Sequence, residues 1–307
     1  PHVLWEDEHI AIVLKGPGWI VAFSRDDEQS KGLVNLLKRK GISEARSLVE
    51  SGDPEHLCHY LMLKYTEAAG YFLSRSVENQ FGIAHRLDVD TSGALMLGRT
   101  EAGFSHLRRA FMSHEVFKEY VCLVHGAVKS DNGEVCFPIT WDESTNQSYI
   151  SEHGLWAKSM YTVIGRYRLK RGKKIFTLCR VVIVTGRTHQ IRLHMASLGH
   201  PLVSDSKYNR KNITTDLLWC PRLFLHAWRL RFLDIDRNVR EVKAPLTKDL
   251  TRSLRTLEEV VLDLESSDNP ALRTVKPASC PRPPPAIQEK RPSPSCLPGE
   301  TGPQPPA

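Results

Sequence analysis

Two short stretches of this chain gather side chains able to do chemistry. The first is His85-Arg86-Leu87-Asp88-Val89-Asp90-Thr91-Ser92-Gly93, placed directly before an apolar run. Two carboxylates two positions apart invite an acid/base pair, but i and i+2 share a face only in a regular strand. Thr-Ser-Gly reads instead as a turn, where an Asp side chain satisfies local backbone donors. A glycosidase-type pair also needs carboxyl groups roughly 5–9 Å apart across a substrate. The residues alone therefore leave Asp88 and Asp90 between turn capping and acid/base chemistry.

The second stretch is Thr185-Gly186-Arg187-Thr188-His189-Gln190-Ile191-Arg192-Leu193-His194. Gly186 marks a strand-to-helix turn, so the helix start offers free N–H groups with Arg187 and His189 beside them. That arrangement suits an anion or a phosphate. Arg192 lies one turn further on and can reach the same mouth. A solvated basic helix would carry the same residues, and the segment alone does not choose. No metal site is expected. His189 and His194 are five apart with no Glu in the metalloprotease position, and His56-Leu57-Cys58-His59 lacks ligand spacing.

These stretches need a scaffold. Residues 4–13 and 19–22 read as short strands around the turn Lys15-Gly16-Pro17-Gly18, and residues 94–97 as a short apolar strand. Residues 31–40 and 43–49 read as helices, with Gly41 as a stop and Ser43 as a cap. Residues 101–112 form a helix with Phe104, Leu107 and Phe111 on one stripe and Thr100 as its N-cap. Residues 117–124 alternate, with Lys118, Tyr120 and Cys122 facing one way and Phe117, Val121 and Leu123 the other. Residues 176–184 and 223–232 read as strands, and 188–198 as a helix stopped by Gly199. Strands and helices mix without strict βαβ alternation, which makes the class α+β.

Composition narrows the field. The chain has 307 residues, 41% hydrophobic and 25% charged, enough for a sizeable core. No apolar run approaches the roughly 18 residues that span a bilayer, since the longest candidate, 175–184, is broken by Arg180. Seven cysteines with no Cys-x-x-Cys pair argue against a disulfide scaffold or a zinc ribbon. Reduced thiols in an intracellular protein are expected. The chain starts at Pro1, so a targeting segment is read as removed or excluded, and the compartment stays open. Residues 266–307 carry twelve of the nineteen prolines and almost no aliphatics, and should form a disordered tail. Of the net charge of +7, the tail holds +2 and residues 1–265 hold +5. A mildly basic body is compatible with a polyanion without establishing one.

Taken together, the two stretches resemble the RluA-type pseudouridine synthases, which isomerise uridine to pseudouridine in RNA. The family's first signature, His-Arg-Leu-Asp then Thr-Ser-Gly, is similar to His85 through Asp88 and Thr91 through Gly93. A second, Gly-Arg-Thr-His-Gln-Ile-Arg with a following His-Pro and Asp, is met by residues 186–192, His200-Pro201 and Asp205. Lys118-x-Tyr120 with Gly126 resembles the family's tyrosine-bearing strand, and Leu225-His226-Ala227 and Ala244-Pro245 its C-terminal elements. The likeness runs from about residue 4 to residue 254. There are departures. The family's Lys-Pro-x-Gly turn stands here as Lys15-Gly16-Pro17-Gly18, and Ser204 replaces the glycine that usually precedes the aspartate. An insertion is expected at about 24–75, and no extra amino-terminal RNA-binding domain is expected.

The resemblance implies one catalytic domain over residues 1–265, built on a mixed, largely antiparallel central sheet flanked by helices. It implies that Asp88 is the essential carboxylate, without deciding whether it attacks C1′ or takes a sugar proton. Arg192 would pair with Asp88, keeping it ionised and aimed. Tyr120 would stack on the uracil and assist proton removal at C5, and Ile191 would form an apolar wall. Arg86, with His85, Arg187 and His189, would contact RNA around a nucleotide extruded from its stack. Asp90 is given no role. RNA is the expected partner, a monomer the expected state, and no metal or organic cofactor is implied. A non-catalytic RNA-binding relative of the same fold is the alternative, and an Asp-dependent hydrolase is a weaker one for want of a second carboxylate.

Overall fold

The computed structural model describes residues 1–21, 56–65, 69–145, 147–170 and 172–261. Within them the strand-forming runs build one large sheet. Its strands are β1 His2–Glu6, β2 Ile10–Lys15, β3 Ser92–Gly98, β4 Phe117–His125 and β5 Asn132–Val135. They continue with β8 Ser159–Leu169, β9 Ile175–Ile183, β10 Leu225–Leu233, β11 Val239–Lys243 and β12 Leu257–Glu259. The spatial order is β1-β2-β3-β10-β4-β9-β8-β12, with β11 beside β10 and β5 beside β8. A separate hairpin pairs β6 Ile139–Asp142 with β7 Gln147–Ile150. Every pairing is antiparallel except β3 with β10. The sheet is mixed and the class is α+β.

Period-two alternation sorts the sheet's residues onto two apolar faces. Tyr120, Cys122 and Val124 of β4 face one way, with Leu95, Leu97, Cys179 and Val181. Against that face pack α1 Leu57–Lys64, through Leu57, Leu61 and Met62, and α3 Gln190–Ser197, through Ile191 and Met195. Ala94 and Met96 point the other way, under Leu107 and Ala110 of α2 Glu101–Met112. Val121 and Leu123 join them there, against Leu250 of α5 Lys248–Arg255. The α2 helix spans the expected residues, and the Thr100 side chain caps it by accepting from the Gly103 N–H at 3.2 Å. A four-residue turn of helix, α4 Ile213–Asp216, precedes β10.

Several expected boundaries move. Residues 4–13 form two strands, because the Asp7 carboxylate accepts the His9 and Ile10 N–H groups at 2.8 and 2.7 Å and turns the chain. Of the expected strand at 19–22, whose last residue lies outside the described ones, Ile20 pairs in a single bridge to His56. The helix expected from Thr188 begins at Gln190, since His189 sits at φ 57° in the left-handed region. Helices expected at 31–40 and 43–49, and the tail, lie outside the described residues. Reduced thiols were expected, and four of the described cysteines are free. Cys136 stands half-buried after β5, whereas the free thiols of Cys58, Cys122, Cys179 and Cys220 are enclosed in the core.

Two buried cations fix the segment that leads into β3. Lys15, 0% exposed at the end of β2, donates to the carbonyls of Gly16 (2.9 Å), Asp88 (3.1 Å), Val89 (2.9 Å) and Thr91 (2.8 Å). Burial pulls this ammonium down to about 7 against the opposing charge of Asp88, while the carbonyl dipoles favour the charged form. Arg222 donates to the Asp90 carbonyl at 2.8 Å and to Ser92 Oγ at 2.9 Å. It is itself paired with Asp249 at 2.6 Å. Gly93 then passes so close to β10 that a Cβ would overlap the Ala227 carbonyl, and its φ of 127° excludes ordinary side chains.

Lys15→Met keeps the aliphatic stem but strands several acceptors, each costing on the order of 1–3 kcal/mol when buried and unpaired. A lowered urea midpoint is expected, with faster proteolysis near residues 86–91.

Candidate active site

Asp88 is delivered by the loop that Lys15 and Arg222 hold from below, which leaves its side chain as the free variable. Its carboxylate accepts from Arg192 Nη1 at 3.1 Å. Arg192 stands in the first turn of α3 and also forks onto Asp205, with Nε and Nη2 donating at 2.8 Å each. Asp205 is fully buried and further accepts the Lys207 and Tyr208 backbone N–H groups at 2.9 and 3.0 Å. Burial disfavours the Arg192 charge, but Asp205 and then Asp88 more than restore it, so it is held above its ordinary value. The guanidinium thus reaches Asp88 already anchored.

The turn into α3 is organised by Gln190. Its side-chain oxygen accepts the Thr185 hydroxyl at 2.7 Å and the Arg187 N–H at 3.0 Å. Its amide donates to the Lys158 carbonyl and to Ser159 Oγ at 2.9 and 3.0 Å. This modifies the anion seat expected at the helix start, because the Arg187 N–H is already satisfied from within the turn.

The two segments meet across an open cleft of about 520 Å³, part of it solvent. Asp88, Arg86, Tyr120, Arg187, His189, Ile191 and Arg192 all line it, so most of the expected residues converge. Asp88 is the sole carboxylate among the lining residues. Tyr120 is 7% exposed and its hydroxyl is pushed up by burial and then by Asp88, which keeps it protonated. His189 shares a 2.9 Å hydrogen bond with the Tyr208 hydroxyl through Nδ1, and its Nε2 stands 3.9 Å from Asp88. Burial pulls this imidazole down to about 4 despite Asp88, so it is neutral at pH 7. Asp90 is exposed and does not line the cleft, and its carbonyl serves the loop.

His85 is the exception. Its ring packs at 4.6 Å on Phe111 and its Nε2 accepts the Met96 N–H at 3.0 Å. Burial drives it down to about 3. The side chain ties the loop to β3, and His85 is not among the residues that line the cleft. His194 turns away too, onto Ser159 Oγ (2.9 Å) and the Phe137 carbonyl (3.0 Å).

Sequence reasoning assigned no role to Lys15, Gln190, Asp205, Tyr208 or Arg222. Asp205 had a signal, since it closes the second motif, and Lys15 had one in ending an apolar strand. Arg222 had none: apart from the adjacent Leu223 carbonyl, its partners are 25 to 132 residues away.

A mixed sheet with a lone carboxylate at the base of a basic cleft defines the class to be compared. A sequence profile described as RNA pseudouridylate synthase matches residues 47–197. The dual-specificity RNA pseudouridine synthase RluA of Pasteurella multocida is 35% identical over 161 residues, covering 51% of this chain and 70% of that protein. The uncharacterised RNA pseudouridine synthase YlyB of Bacillus subtilis is 35% identical over 226 residues, 71% of this chain and 69% of that one. The solved human RNA pseudouridylate synthase domain containing 1 superposes with a TM-score of 0.59 at 20% identity, covering 88% of this chain and 96% of its own, a likeness of fold. The chain belongs to the RluA-type RNA pseudouridine synthase family, a family of isomerases.

Asp205→Asn leaves the 7%-exposed Arg192 side chain with one carboxylate instead of two. Breaking a buried pair of this kind costs about 3–5 kcal/mol. Urea denaturation of the purified variant is expected to give a loss in that range.

Proposed function

We propose that this chain isomerises specific uridines in RNA to pseudouridine, with Asp88 as the reacting carboxylate and residues 1–265 as the catalytic domain. The observation that carries the reading is the sole carboxylate of the cleft, aimed by a guanidinium that a second, buried carboxylate anchors. A hydrolase working by paired carboxylates would need a second one across the cleft. The isomerisation breaks the N1–C1′ bond, turns the uracil while it stays bound, and joins C5 to C1′. N1 gains a proton and the hydrogen on C5 leaves to solvent.

The residues divide this work. Arg192 orients Asp88, which its planar fork does better than an ammonium would. Tyr120 and Ile191 supply the walls between which a flat base turns. A phenol held protonated beside Asp88 is a stacking face and a hydrogen-bond donor, and accepting the C5 proton would first require losing its own. Neutral His189 adds a polar group that does not compete with Arg192 for the carboxylate. Arg86, exposed at the rim, contacts RNA around the extruded nucleotide.

Release of tritium from C5-labelled uridine in total RNA tests the reading, because a binder or a hydrolase releases none. Asp88→Asn is expected to keep the fold and RNA affinity while release falls to background. Arg192→Lys should be roughly 10–100-fold slower, the weight of a lost charged hydrogen bond. Asp90→Asn should stay within about threefold of wild type, as for an exposed side chain away from the chemistry. Normal turnover of Asp88→Asn would overturn the assignment.

A further inference from the structure

The buried cations of this protein come with built-in partners. Arg192 has Asp88 and Asp205, Arg222 has Asp249, and Lys15 has four carbonyls. Lys118 does not follow the pattern. It is 5% exposed, on the same face of β4 as Tyr120 and opposite Ile183 of β9, and both of those line the cleft. Its ammonium lies 5.6 Å from the centre of the Phe111 ring, and no carboxylate or carbonyl among the described residues takes it as a donor. Its Nζ is not among the enclosed polar atoms, so its acceptor comes from water or from a ligand.

The groups around it are basic as well. Arg187 spends its Nε on the Trp156 carbonyl at 3.2 Å and otherwise lines the cleft. The charge of Arg187 adds to burial in pulling Lys118 down to about 8. Burial, then Lys118 and Arg187 together, hold the His114 imidazole below its ordinary range. His85, neutral against Phe111, closes the far side. No carboxylate is among the groups acting on Lys118, Arg187 or His114. Arg187, which lines the cleft, and Lys118, behind it on the strand that carries Tyr120, are two unneutralised cations suited to a compact anion, and in RNA that anion is a backbone phosphate.

We propose that Lys118 and Arg187 together seat one phosphodiester of the RNA, at the rim beside the nucleotide that stacks on Tyr120. The proposal rests on RNA being the ligand of the cleft, and it adds Lys118 as a binding residue. The phosphate gives the ammonium the acceptor the protein withholds. It also fixes the backbone next to the nucleotide that must turn, so binding energy is spent on position.

The test uses a fluorescein-labelled nine-nucleotide oligouridylate and fluorescence anisotropy from 50 to 300 mM KCl. Lys118→Met should weaken binding about tenfold at low salt and flatten the salt dependence by about 0.7, the share of one phosphate on a single strand. A set of the same oligonucleotides, each with one uncharged methylphosphonate linkage, locates the contact on the wild-type protein itself. One linkage should cost wild type affinity and cost Lys118→Met nothing further. Arg187→Gln, a second and independent variant, should fall silent at the same linkage. Failure of wild type to bind the oligouridylate at 50 mM KCl, an unchanged salt slope in Lys118→Met, or silence of the two variants at different linkages would each overturn the proposal. Tritium release by the wild-type protein is scored separately. Its absence, with the linkage pattern intact, would sink the synthase reading and leave the phosphate seat standing.

Discussion

Four consecutive carbonyls, from Asp88 to Thr91, are gathered by two buried cations, and the site depends on that. Lys15 takes three of them and Arg222 takes the fourth. A loop with its carbonyls pulled inward has little freedom left in its backbone, so the direction of the Asp88 side chain is set from beneath. Arg192 then meets the carboxylate from the opposite side of the cleft, across 104 positions of sequence. Neither contact suffices alone. The lysine holds the peptide without aiming the carboxylate, and the arginine aims the carboxylate without holding the peptide.

This explains what could be read from the sequence and what could not. Alternation along β4 separated Tyr120 and Cys122 from Val121 and Leu123 correctly, because both faces are buried and a slip of one residue would exchange them. The cap and stripe of α2 were legible for the same local reason. The turn at Asp7 was hidden, since a single side chain interrupts a run that otherwise reads as one strand. His85 carries a matching type at a matching position, and only the packing on Phe111 reveals that its ring serves the sheet. Arg222 is invisible in the sequence because it acts through contacts distant in the chain. Ser204 shows the converse. Its φ of 57° explains why glycine usually stands there, and its hydroxyl bond to the Cys220 carbonyl (2.7 Å), with its N–H on Asp216 (3.0 Å), holds the strained conformation.

The distribution of charge around the cleft follows the same division between interior and rim. Inside, the cations are matched: Arg192 by Asp88 and Asp205, Arg222 by Asp249. The rim is not. Arg86 and Arg187 stand there without carboxylate partners among the described residues. A modest overall charge of +7 would say little by itself. Its local placement says more, because the excess lies where a polyanion would arrive, and the balanced part where the chemistry would occur.

A carboxylate at the centre of a site for a polyanion is an electrostatic conflict. An unscreened Asp88 would repel the phosphates on either side of any nucleotide brought to it, most strongly once water is displaced. The fold limits the reach of that carboxylate by pairing it. Arg192 sits in direct contact, and the fork onto Asp205 anchors its guanidinium. Asp205 in turn spends its remaining acceptors on the backbone of Lys207 and Tyr208, which keeps a second negative charge fully buried and out of the substrate's view. His189 and Tyr120, both neutral at pH 7, add polarity to the walls without adding charge. The charge of the cleft is therefore positive toward its rim, with its one carboxylate paired inside.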